Sequence, residues 1–140
     1  MLDPAGVFSR MVRMSPRPPS PDDFDRVDAA LRTAGVGVWL NRLPLGELSW
    51  NDNAKAHFHL PPDARPSIDL FFTCLHPEDR ERVRESVRRA LEEDRPFDEV
   101  YRTIGPAGAQ KWIHSLGRMV RGEDGQPRQF DGITLDITPA

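Results

Sequence analysis

Cysteine is nearly missing from this chain. Cys74 is the only one in 140 residues, so no internal disulfide can form, and a reducing, cytoplasmic setting is the simplest expectation. No apolar run approaches the ~18 residues that a membrane-spanning helix needs. An excess of one charge is lacking too: 19 basic residues face 22 acidic ones, which argues against an electrostatic nucleic-acid binder. The first residues, MLDPAGVFSRMVRMSPRPPSP, carry arginines but no continuous apolar block, as a secretory signal would require. There is no internal repeat. There is also no nucleophile elbow, no glycine-rich phosphate loop and no pair of carboxylates at a telling spacing, so the expectation is a protein without catalysis of its own.

Residues 1–21 differ in character from the rest. Pro4, Pro16, Pro18, Pro19 and Pro21 rule out a regular helix through the second half of this stretch, and Arg10, Arg13 and Arg17 face a lone acid, Asp3. The expectation is a flexible leader; the alternative is a flanking segment packed on the domain or on a second copy. One domain is expected over 22–138, large enough to bury roughly two-thirds of its unfolded surface.

Within it, Asp22, Asp23 and Asp25 favour a helix start, Phe24, Val27, Ala30, Leu31 and Ala34 recur at helical spacing, and Gly35 ends the helix. Residues 36–42 and 47–51, joined by Leu-Pro-Leu-Gly, read as a β-hairpin. Two short helices follow, over 51–60 and 67–75. The long helix from Pro77 places Val83, Val87, Ala90 and Leu91 on one stripe, with Glu78 and Arg82, Glu85 and Arg89, and Arg88 and Glu92 spaced as exposed ion pairs. From Pro96 onward, PFDEVYRTIGPAG, KWIHSLGRMVR and RQFDGITLDIT read as three strands joined by two tight turns.

These strings carry a family resemblance through their order. LHPEDRERV (75–83) resembles the stretch that leads into the connecting helix of PAS domains, in which a His-Pro-acidic-Asp motif occurs. EVYRTIGPAG, WIHSLGR, EDGQP and FDGITLDIT resemble the strands and closing motif that follow it, and AGVGVWLNR with LSWND resembles the opening hairpin. The similarity covers about 22–138. It implies an α+β fold: a PAS-like five-stranded antiparallel sheet in the order 2-1-5-4-3, with short helices and one longer connecting helix on one face, enclosing a pocket.

Side chains alternate between the faces of a strand, but periodicity alone does not say which set faces inward. Resemblance to flavin-binding PAS domains puts Ile113, Ser115, Phe130 and Thr134 at cavity positions, joined by Tyr101 and Thr103. Trp39 and Asn41 are read as the inward pair of the first strand. Bulky Trp50 and Phe58 join them and shrink the cavity, whereas Ser115, Gly117, Gly132 and Thr134 leave room. Trp112, Leu116, Ile133, Leu135 and Ile137 are left on the outer face, an apolar patch that needs a cover. Phe24, Val27 and Leu31 of the first helix supply one candidate, and a second copy of the chain supplies the other.

The resemblance implies a sensory or interaction module that regulates a linked effector such as a histidine kinase or diguanylate cyclase. In the family the closing motif, here Asp136 and Thr138, couples the sheet to a following output helix. The pattern ends where such a linker helix would begin, so a domain excised from a longer chain is expected. Two readings of the interior stay open: a small-molecule pocket, or a packed core in a module that only dimerises. Cofactor signatures are missing. Cys74 lacks the Asn-Cys-Arg-Phe-Leu-Gln setting of covalent flavin binders and reads as a small buried hydrophobe, and 77–94 holds no histidine to serve as the axial haem ligand of the family. His57 and His59 sit at a helix end, where side chains two apart diverge, so a metal role is not expected.

Overall fold

The computed structural model describes Pro18 and Ser20–Ala140, so the reading of 1–21 as a leader lies almost wholly outside the described residues. The chain divides between Ala30 and Leu31, and the sheet with its helices lies in Leu31–Ala140. Helix α1 (Pro21–Thr33) starts in a reciprocal cap one residue before its proline. Ser20 Oγ accepts from the Asp23 N–H at 3.3 Å, while the Asp23 carboxylate accepts from the Ser20 N–H at 3.0 Å. Gly35, at φ +75°, ends the helix, and the Val36 N–H donates back to the Leu31 carbonyl.

Four strands form one antiparallel sheet in the order β1-β4-β3-β2: β1 (Gly37–Arg42), β2 (Phe97–Ile104), β3 (Gln110–Arg121) and β4 (Pro127–Asp136). The expected fifth strand over 47–51 does not form, and its hydrogen bonds show why. The Leu48 N–H donates to the Pro66 carbonyl and the Ile68 N–H to the Gly46 carbonyl, each at 2.9 Å. Only the end of the segment reaches β1, through Leu40 N–H to Ser49 O at 2.9 Å and Asn51 N–H to Val38 O at 3.0 Å. So short a backbone, divided between two partners, builds a ladder with neither.

Helix α2 (Asp52–His57) is capped by Asn51, whose Oδ1 accepts from the Ala54 N–H at 2.9 Å. Helix α3 (Ile68–Cys74) is capped by Ser67. The long helix differs from expectation in its first turn: Pro77–Asp79 is a 3-10 turn capped by His76 Nδ1, and the α-helix proper, α4, is Arg80–Glu92. Glu78 is thereby turned away from Arg82 and pairs with Arg102 at 3.3 Å. Glu85 with Arg89 and Arg88 with Glu92 pair as their spacing suggests. Val83, Val87 and Ala90 of α4 are buried against the inner face of the sheet, and Cys74 is buried near them.

Candidate functional site: the interior cavity and the outer sheet face

Alternation along the strands sorts the side chains as expected. Trp39, Asn41, Tyr101, Ser115, Phe130 and Thr134 point inward, and with Trp50 and Phe58 they line a cavity of about 40 Å³. Thr103 and Ile113, expected there, are fully buried but lie outside its wall. The Thr103 hydroxyl is directed at α2, where it donates to the His57 carbonyl at 2.7 Å, and Ile113 is absorbed into the apolar core. The wall also contains Phe97 and Val87, which the sequence reading did not place there. Phe97 shares the parity of Tyr101 on β2, and Val87 lies on the apolar stripe of α4, so the signal for both was present.

The cavity is small because one side chain fills it. Gly117 and Gly132 are directly paired across β3 and β4, and Trp39 is paired with Gly132 across β1 and β4. A Cβ on either glycine would collide with the Trp39 indole. The bare backbone thus gives the indole a bed, and the room the two glycines leave is occupied. Phe130 and Phe97 stand edge-on to the same ring, with centroids 4.8 and 6.0 Å away.

Polar groups in the wall are mostly engaged. His57 Nδ1 and Thr134 Oγ1 lie 2.7 Å apart, the Ser115 hydroxyl donates to the Ile133 carbonyl at 3.4 Å, and the Asn41 Oδ1 accepts from the Ser49 N–H at 3.2 Å. Burial pushes the Tyr101 hydroxyl well above its ordinary pKa, the Ser115 side chain opposing. Burial also lowers the His57 pKa, the nearby Asp136 carboxylate opposing. His57 and His59 do diverge: His59 Nε2 lies 3.3 Å from the Thr103 carbonyl, away from the Thr134 contact. Trp39 is 6 % exposed, and its Nε1 is buried with no acceptor among the described residues.

The opposite face of the sheet is apolar and open. Trp112 is 38 % and Ile137 46 % exposed, with Leu40, Val100 and Val120 also exposed and Leu116, Ile133 and Leu135 half-buried. On α1, Phe24 and Val27 are exposed and Leu31 half-buried. Asp131 lies on this sheet face between Leu40 and Arg118; one of its oxygens is buried with no partner among the described residues, and burial raises its pKa. At the end of β4 the Asp136 carboxylate accepts from the Thr138 N–H and hydroxyl, and Thr138 Oγ1 accepts from the Trp112 N–H at 2.9 Å. The Trp112 ring in turn faces the Arg102 guanidinium, 5.4 Å away. Arg102 makes a two-pronged ion pair with Asp79, through Nε at 3.0 Å and Nη2 at 2.8 Å. A continuous chain of contacts thus joins the closing Asp-Ile-Thr to the turn before α4.

The family model for the PAS fold matches residues 47–134. The sensor protein FixL of Bradyrhizobium diazoefficiens is 34 % identical over 86 % of this chain, which spans 24 % of that protein. A solved sensory box histidine kinase/response regulator from Burkholderia thailandensis aligns with a TM-score of 0.66 and 26 % identity, over 81 % of this chain and 85 % of that one. The N-terminal domain of a diguanylate cyclase with PAS/PAC sensor from Marinobacter aquaeolei aligns with a TM-score of 0.67 at 22 % identity, over 74 % of this chain and 95 % of that one.

Proposed function

This chain belongs to the PAS-fold family, and on that premise we propose that it is the non-catalytic sensory module of a longer signalling protein. It takes a small ligand inside the sheet, pairs with a second copy through the outer face, and regulates a linked effector of the histidine kinase or diguanylate cyclase type. The observation that carries this reading is the opposition of the two faces. The inner one encloses a nearly apolar cavity, and the outer one exposes Trp112 and Ile137 beside half-buried Leu116, Ile133 and Leu135. The link from Asp136 and Thr138 through Trp112 and Arg102 to Asp79 supports a coupling role for the closing motif.

At about 40 Å³ the cavity is far below the roughly 300 Å³ of the smaller drug-sized sites, so the interior as folded has no room for a flavin or a porphyrin. One observation favours a second reading, a ligand-free interaction module: the Trp39 indole already occupies the space over Gly117 and Gly132.

The assembly claim is tested by light scattering on Ile133→Lys combined with Leu135→Glu, two changes on the half-buried outer face. The double variant should keep its circular dichroism and lose the dimer mass. An unchanged mass would remove the outer face from the interface.

A further inference from the structure

Charges of opposite sign stand beside one another on the outer face of the sheet. Among the described residues, those of outward parity on β3 and the strands either side of it are Asp98 and Arg102 on β2, His114 and Arg118 on β3, and Asp131 on β4. Arg102 is held by Asp79 and Glu78, and Arg118 stands directly across from Asp131. His114 Nε2 lies 2.7 Å from Asp98 Oδ1. This last couple is neutral only when the imidazole carries its second proton; with a neutral imidazole it keeps the negative charge of the carboxylate. Histidine ordinarily changes charge between pH 5 and 8, so the charge of the face depends on pH at this one couple above all.

His114 sits amid the apolar residues of that face. Trp112 and Leu116 flank it along β3, and Val100 on β2 and Leu135 on β4 stand across from it. Water still reaches the couple, with 30 % of the His114 side chain and 66 % of that of Asp98 exposed, so in a single chain it contributes little. A cover laid over Trp112 and Leu135 takes that water away, and a charge stripped of water is costly unless it is paired. A two-fold pairing brings the same patch of both copies together. A face whose charges cancel within itself suits such a partner, whereas a residual negative charge meets its own like. Resting on the reading of the outer face as the pairing surface, we propose that His114 and Asp98 make the pairing acid-responsive: two copies take up protons on His114 as they associate, and they separate as those protons are lost.

Analytical ultracentrifugation at pH 8 and pH 6 tests this on the wild-type chain, His114→Gln and Asp98→Asn, with circular dichroism confirming that each variant is folded. The wild-type dissociation constant should be about tenfold lower at pH 6, roughly threefold for each of the two copies. His114→Gln removes the titrating group and should hold the weaker, pH 8 affinity at both values. Asp98→Asn should reverse the sign: its couple is neutral at pH 8 and carries a lone imidazolium at pH 6, so acid should loosen its dimer. A general loss of net charge would instead tighten all three chains alike, and that result would overturn the proposal. A wild-type dimer of equal affinity at both pH values would overturn it too, while leaving the pairing reading in place. A chain monomeric at both values, or a dimer that survives Ile133→Lys combined with Leu135→Glu, would bring down the pairing reading and the proposal together.

Discussion

The indole of Trp39 lies where a side chain on Gly132 would have to be. An added Cβ at that position would press on the indole and on the carbonyl oxygen of Leu116. The ring is pinned between Phe97 and Phe130, and the carbonyl belongs to the neighbouring strand, so neither yields cheaply. Gly132→Ala should therefore cost about 3 kcal/mol, at the upper end of the usual overpacking range. Urea titration would register this as a lower midpoint at unchanged slope. A neutral effect would mean that Trp39 swings away from the glycine pair.

Asp79 should govern the acid limb of stability. The Arg102 guanidinium bonded to its carboxylate is the main cause that lowers its pKa from 3.8 to about 2, aided by the Arg102 N–H. A depressed carboxyl contributes stability that is present above its unfolded value of 3.8 and is lost as pH falls toward about 2. Asp79→Asn should cost about 2 kcal/mol near pH 7 and flatten the stability profile between pH 4 and 2. Thermal melts across that window check it.

Asp131 carries the opposite sign. Burial raises its pKa above 3.8, against a backbone hydrogen bond from Asn41, so its ionised form is the one the fold disfavours. That contribution is favourable at low pH and lost as pH rises through the elevated value. Asp131→Asn should thus raise stability by roughly 0.5–1 kcal/mol at neutral pH, a common scale for relieving such a surface defect, with the gain shrinking as pH falls through the raised value toward 3.8. A loss at neutral pH would show that the carboxylate is needed as an acceptor on the outer face.

His57 sets a third pH effect. Burial lowers its pKa from 6.5; Asp136 and the Gly35 backbone oppose, and Lys111 adds to the lowering. The unfolded chain then takes up the proton first, so stability is full above 6.5 and declines as pH falls below it. His57→Gln can keep the contact with Thr134 and should erase this decline below pH 6.5. If hydrogen-exchange rates at α2 keep their pH dependence in the variant, another group is responsible.

The parts of the fold that the sequence disclosed were those written in local repeats. The stripe Val83, Val87 and Ala90 gave the buried face of α4 directly, while alternation separated Ser115 and Thr134 from Leu116 and Ile133 and the family resemblance said which set faces inward. The missing strand could not be read the same way. Its propensity was right, but Pro66 and Ile68 outcompeted β1 for its backbone, a contest between partners distant in sequence. Most cavity residues followed from the family resemblance, and parity with Tyr101 would have added the missed Phe97. Its volume did not, because Gly117 and Gly132 look like free space until Trp39, far away in sequence, is known to lie on them. The Asp79–Arg102 pair was hidden for the same reason. Charge spacing along a helix shows neighbours one turn apart, whereas Arg102 arrives from strand β2.

The borrowed hydrogen bonds around the sheet restrict how copies of this chain can meet. Along β1 the free margin is capped at Val38 and Leu40 by Ser49 and Asn51. Along β2 the Arg102 N–H is taken by Asp79, its carbonyl by the His76 N–H, and the Val100 carbonyl by Arg82. Open margins of this kind are what let sheets grow sideways into fibrils or swap strands between molecules. With both margins occupied at their centres, lateral strand addition is blocked, and the apolar surface of Trp112, Leu116 and Ile133 is left to be covered only by something laid flat upon it.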